Sequence, residues 1–379
     1  MSYRLRSRTV IGLALLAAAC GKKKEQEAPP SPPTPPPGPT AVAPAPTPTP
    51  TAPAAPAAPA LDVSQVKALF KPLPPSFDRT DAPTSDALVA LGRQLYFDKR
   101  LSKNQDVSCN TCHALDTFGV DGLALSKGHK GQLGGRNSPT VYNAAGHFAQ
   151  FWDGRAADVE EQAKGPMTNP VEMAMDGDKV VAVVSSIPEY GKAFAAAFPG
   201  EATPVTFDNV GKAIGAFERR LVTPAPFDKY LAGDDAALSA DAKQGLAVFM
   251  ATGCTACHGG PLLGGSMYMK TGLIAPYADS ADTGRMQVTK AEADKFMFKV
   301  PSLRNIEKTA PYFHDGKIAD LPTAVREMAR LQLGKTLTDD EVGKIVTFLA
   351  SLTGTPPADL IAPPTLPPSS KKTPKPDPS

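Results

Sequence analysis

The sequence predicts a mainly α-helical protein of two tandem domains built on one plan, with long glycine-rich loops and little strand. Three observations carry that expectation. Apolar residues recur at helical spacing, while period-2 strand patterns bounded by turn residues are scarce. One block, a helix followed by a loop and Cys-x-x-Cys-His, occurs twice. Proline reaches 41 of 379 residues and crowds into two stretches that cannot pack as helix or sheet, so the remainder suits two ordinary domains. A net charge of +2 gives no reason to expect a nucleic-acid partner. No apolar run reaches the roughly 18 residues of a membrane-spanning helix.

Residues 1–20 carry Arg4, Arg6 and Arg8, an apolar run from Val10 to Leu16, and small residues ahead of Cys20. This is the pattern of a secretory signal. A cysteine at that place resembles the lipoprotein signal, in which the thiol is lipidated after cleavage. Ala17 stands where that motif usually has leucine, so soluble secretion is the alternative. Residues 21–60 continue through Lys22, Lys23 and Lys24 into an almost pure Pro, Ala and Thr stretch from Ala28 to Ala60. Such a linker is an extended, semi-rigid spacer able to hold a folded body off a membrane surface.

The first domain is expected over 61–230 and the second over 231–354. From Asp86 to Asp98, Leu88, Leu91 and Leu95 share a helical face ahead of Cys109-Asn110-Thr111-Cys112-His113. Ser239 can cap a second helix in which Leu246, Phe249 and Met250 share a face, ahead of Cys254-Thr255-Ala256-Cys257-His258. The two helices align at Gly92 and Gly245. In the last helix Thr338 and Glu341 form a capping box, Val342, Ile345, Val346 and Leu349 make the apolar stripe, and Gly354 and Pro356 stop it. The Pro-rich tail 355–379 is expected to end the fold.

The cysteines decide the chemistry. A redox pair needs no histidine behind it, and a zinc site needs two more ligands close by, whereas the next pair begins only at Cys254. Covalent c-type haem needs two thiols that meet the two vinyl groups and a histidine directly after to bind iron. Both copies have all three parts. The reading is therefore two cytochrome c-like domains with haems on Cys109/Cys112 and Cys254/Cys257 and proximal ligands His113 and His258.

From about Ala87 to Gly354 the chain further resembles the bacterial di-haem cytochrome c peroxidases. The signposts are Gly92–Phe97, Gly135–Asn143, Gln150–Arg155, Gln162–Pro166, Leu303–Asn305, Thr309–Gly316 and Gln332–Gly334. The resemblance implies that His129, in a Gly-rich loop, is a removable distal ligand of the first, peroxidatic haem. The residue alone also reads as a solvated loop histidine. It implies that Met328 ligates the second, electron-transfer haem, although Met at that spacing also fills cores. His314 becomes loop-shaping and His147 structural. Glu172 becomes the distal-pocket carboxylate with Gln162 beside it, against the plain reading of a surface glutamate. Hydrogen peroxide must lose a proton from one oxygen and gain one on the other before its O–O bond breaks, and one positioned carboxylate can do both. Trp152 becomes an electron relay between the haems, compatible with an anchoring core role. Asn137, Thr309 and Pro311 become ligands of a calcium ion between the domains.

The implied activity is reduction of hydrogen peroxide to water with electrons from a small cytochrome c or cupredoxin, on the periplasmic side, with the chain held to a membrane through Cys20. A homodimer stays open. Two rival readings remain: a MauG-like oxidase of a partner protein, whose class has tyrosine where this chain offers Met328, and a di-haem electron carrier, which would have no use for Glu172.

Overall fold

The computed structural model describes residue 33 and residues 61–81, 84–278 and 281–379. The leader with Cys20 and, apart from Pro33, the 21–60 linker lie outside the described residues. Helices dominate, and the two short antiparallel strands β1 (Tyr268–Lys270) and β2 (Met297–Lys299) form a two-stranded sheet. Among the described residues no helix is long and apolar enough to cross a membrane.

Each repeat builds its own apolar core around one helix crossing. In the first, the Asp86–Phe97 helix starts where Ser85 Oγ accepts from the Leu88 N–H at 3.1 Å, and it buries Leu91, Leu95 and Tyr96. It crosses the Phe207–Glu218 helix so closely that a Cβ on Gly92 would collide with the Ala213 carbonyl oxygen. In the second, Ser239 caps the Ala240–Thr252 helix through the Ala242 N–H, and Gly253 ends it at φ 101°. The Asp339–Ala350 helix carries the expected capping box, with the Thr338 N–H donating to Glu341 at 2.8 Å. A Cβ on Gly245 would meet the Lys344 carbonyl oxygen, so glycine is required at the same point of both crossings. The rings match too: Tyr96 packs edge-on against Phe217 at 5.3 Å, and Phe249 lies 5.2 Å from Phe348.

A buried polar cluster joins the halves. Asn143, at φ 61°, and Asn305, at φ 60°, close the ends of the two crossing helices, their N–H groups donating to the Leu221 and Leu352 carbonyls. Asn143 Oδ1 accepts from Thr223 N, Asn305 Oδ1 accepts from Gly354 N, and both Nδ2 groups donate to Thr223 Oγ1 at 2.8 and 2.9 Å. Every partner is buried, which makes this a satisfied network rather than a cost.

The tail departs from expectation. Instead of leaving the fold, residues 355–379 run back along the first half, with Leu360 and Ile361 packed on its core. A Pro-rich strand donates few N–H groups but exposes its carbonyls. The side chains of Arg93, Arg100 and Gln105 use them, donating to Ala362, Pro367 and Pro374 at 2.7, 2.9 and 2.9 Å.

Candidate haem centres and active site

Both Cys-x-x-Cys-His segments curl into a short helical turn that presents the two thiols ahead of the histidine. His113 Nδ1 bonds the Pro139 carbonyl at 2.9 Å, and His258 Nδ1 bonds the Leu263 carbonyl at 2.8 Å. A backbone carbonyl on Nδ1 fixes the tautomer that leaves the Nε2 lone pair for a metal. Burial pulls both imidazoles below their ordinary pKa, which keeps that lone pair unprotonated. The thiols are free, and burial pushes Cys112 up to about 11 and Cys254 up to about 12, so neither is a thiolate at neutral pH. Nor does any cluster of three His, Cys, Asp or Glu occur among the described residues.

At the second motif, Cys254, Cys257, His258 and Met328 line one cavity of about 230 Å³. Met328 rides on the Leu321–Leu333 helix, capped by Asp320 and closed by Gly334 at φ 63°. A thioether and an imidazole in the wall of one largely apolar cavity suit a haem with His/Met ligation.

At the first motif the neighbours come from loops. His129 is buried, its N–H donates to the Glu172 carbonyl at 2.7 Å, and its Nδ1 has no hydrogen-bond partner. Its Nε2 lies 3.3 Å from the Ser379 carbonyl oxygen of the returning tail. A solvated loop histidine is thereby ruled out, because a buried imidazole with an orphaned nitrogen calls for a ligand role or an unmet partner. Gly128 lets this loop touch the next, since a Cβ there would strike the Val171 carbonyl. Glu172 accepts from Asn169 Nδ2 at 2.8 Å; burial raises its pKa, and Arg155 pulls the other way. Its charge is felt at Cys112, which puts the carboxylate near the first motif. Gln162 sits half-buried on the Val159–Thr168 helix and makes no hydrogen bond to Glu172 among the described residues.

Trp152 spans the halves: its Nε1 donates to the Asn137 carbonyl at 2.9 Å, and its own carbonyl accepts from Lys299 N at 2.7 Å. Asn137, Thr309 and Pro311 line the cavity at the second motif with it. His314 stacks on Phe298 at 4.2 Å and meets Trp152 edge-on, while its carbonyl accepts from Asn137 N.

The family model for di-haem cytochrome c peroxidase matches residues 86–236. The cytochrome c551 peroxidase of Pseudomonas aeruginosa is 49% identical over 318 residues, 82% of this chain and 91% of that protein. The chain belongs to the di-haem cytochrome c peroxidase family. The cytochrome c551 peroxidase of Nitrosomonas europaea is 48% identical, covering 77% of this chain and 87% of its own length. Among solved structures, a MauG-like protein associated with microbial copper homeostasis superposes with a TM-score of 0.67 at 29% identity, covering 77% of this chain and 95% of that one.

Sequence reasoning passed over two features of this peroxidase. Pro139-Thr-Val-Tyr-Asn143 recurs as Pro301-Ser-Leu-Arg-Asn305, a repeat that marks the buried asparagines. Lys299 gave no signal, because a lone lysine in a chain with 40 basic residues reads as solvated surface.

Proposed function

We propose that this peroxidase reduces hydrogen peroxide to water at the first motif, in a tandem pair of cytochrome c-like domains fed by a small cytochrome c or cupredoxin. The observation that carries the reading is Glu172, a half-buried carboxyl with a raised pKa beside His129 and the first Cys-x-x-Cys-His. The two haems, held by Cys109, Cys112 and His113 and by Cys254, Cys257 and His258, supply one-electron redox chemistry and an iron to bind peroxide. Glu172 takes a proton from one peroxide oxygen and returns it to the other, and Asn169 holds the carboxyl in place for both tasks. His129 is the group that must vacate the site, Met328 the fixed ligand of the second, and Trp152 the side chain spanning them. Gln162 lies on the neighbouring helix as a second polar wall.

The side chain of Asn137 supports calcium: its Nδ2 donates to Leu123 O at 2.9 Å, which leaves Oδ1 as an acceptor, and Asn137 lines the same cavity as Thr309 and Pro311. The leader supports export to the periplasmic side, with Cys20 as the lipid anchor. Met328 on a capped helix favours this reading over the MauG-like one, and the half-buried Glu172 with its raised pKa favours it over an electron carrier. Steady-state assay of peroxide-dependent oxidation of a reduced cytochrome c tests the proposal. Saturable turnover is expected, and none in the two-haem protein would overturn it.

A further inference from the structure

Two buried cations border the cavity that gathers Cys254, Cys257, His258 and Met328, and they are treated very differently. Arg304, 1% exposed, is fully engaged: Nη1 and Nη2 donate to the two Asp228 oxygens at 2.7 and 2.9 Å, and Nε to the Pro261 carbonyl at 2.8 Å. Lys299, 6% exposed, has no carboxylate within ion-pair distance among the described residues. Its Nζ makes one side-chain hydrogen bond, to His147 Nδ1 at 2.8 Å. That bond sets His147 as the Nε2–H tautomer, and Nε2 is itself buried without a partner. A buried ammonium lacking an anion is costly, and burial pulls Lys299 down to about 7.

The backbone holds this pair in place. Lys299 ends β2, opposite Tyr268, with its N–H on the Trp152 carbonyl. His147 packs its ring over Gly265, where a Cβ would collide with it. Two donors with unmet capacity therefore stand together in the wall of a cavity that is otherwise mostly apolar. The group that satisfies the Lys299 ammonium, whose one partner is the ring that holds it, is an acceptor-only carboxylate.

We propose that Lys299, steadied by His147, seats a propionate carboxylate of the second haem; the inference rests on the haem reading of this cavity. Lys299 is then a positioning residue. It fixes how the macrocycle is turned in the cavity and keeps a positive charge beside it, which favours the reduced state.

The test compares Lys299→Met, which removes the charge and keeps much of the stem, with Lys299→Arg and His147→Gln in the purified two-haem protein, by spectroelectrochemical titration of each haem. In Lys299→Met the oxidised-to-reduced ratio of the Met-ligated haem at fixed potential should rise at least tenfold, about 59 mV for one electron. The first haem should not move, Lys299→Arg should stay within about threefold of the parent, and His147→Gln should shift the same way by less. An unchanged second haem in Lys299→Met overturns the proposal, as do equal shifts in both haems. If Lys299→Met does not fold, His147→Gln decides, and no shift there overturns it. A haem count of one per chain would sink the haem reading and the seat together, and it is read before any potential.

Discussion

The two halves use one frame and furnish it differently. Both cross two helices at an obligatory glycine, both end the crossing on a left-handed asparagine, and both tie the motif histidine to a backbone carbonyl. The side chains gathered beside each motif diverge. The second half offers Met328 from a 13-residue helix capped at both ends. The first offers His129 and Glu172 from adjoining loops, with left-handed turns at Lys130 and Gly131. Moving Met328 means moving a capped helix, whereas moving His129 needs only a few backbone torsions. On the proposed reading, the frame sets where a haem is attached and the furnishing whether its far side can open.

The largest expected effect tests the assignment of proton chemistry to the first half alone. Glu172→Gln keeps shape and the Asn169 contact but cannot take a proton. Peroxide turnover should fall by at least about 10²-fold while both haem spectra persist. Near-parental turnover would return Glu172 to a structural role and leave His129 against Met328 as the difference between the halves.

The next effect tests the loop against the helix. In the fully oxidised parent, His129 should occupy the open position of the first site, so cyanide should bind slowly until one electron is added. His129→Gly should bind it without prior reduction, faster by roughly 5- to 150-fold if the gate is worth a typical coupling energy. Equal rates in the fully oxidised proteins would show that the loop is no gate.

Much of the frame was legible because it is local. The Ser239 cap, the Thr338/Glu341 box and the Leu88/Leu91/Leu95 face are short-range patterns, and the structure has all of them. The Gly92/Gly245 alignment was visible as sequence, but its reason, a carbonyl of a helix far along the chain, was not. The furnishing was legible only through the family resemblance. Nothing in Ser-Lys-Gly-His-Lys says that His129 is buried, because its burial comes from the Glu172 loop and the returning tail. The tail itself misled, since composition reports that a Pro-rich segment cannot form helix or sheet but not that arginines elsewhere will bind its carbonyls.

If the crossings are equivalent, adding one methyl to each should cost alike. Gly92→Ala and Gly245→Ala each force the opposing helix away from a carbonyl, and about 1–3 kcal/mol should be lost in urea unfolding for either. The losses should be nearly additive, within about 0.5 kcal/mol, because the sites sit in separate cores. A neutral effect at one would break the symmetry of the frame.

The last effect comes from a buried position at which the matched helices carry opposite chemistry. Counting from Phe217 and Phe348, which face the two glycines, the next residue is Glu218 in the first half and Leu349 in the second. Both are buried. Burial, with Glu160 nearby, raises Glu218 from the ordinary glutamate value to about 8, and the C-terminal end of its helix also disfavours an anion. The unfolded chain releases this proton above the ordinary value, whereas the folded chain keeps it until about pH 8. Unfolding therefore releases a proton throughout that window. The group's contribution is fully present at low pH and is lost as pH rises, by at most about 1.4 kcal/mol per pH unit. Glu218→Leu gives the first half the residue that the second already uses, so its stability should be flatter than the parent's from about pH 5 to 8 and should diverge from it most at the upper end. Parallel stability curves for parent and variant across that range would mean that Glu218 is ionised in the fold, and that the two helix ends differ in charge as well as in shape.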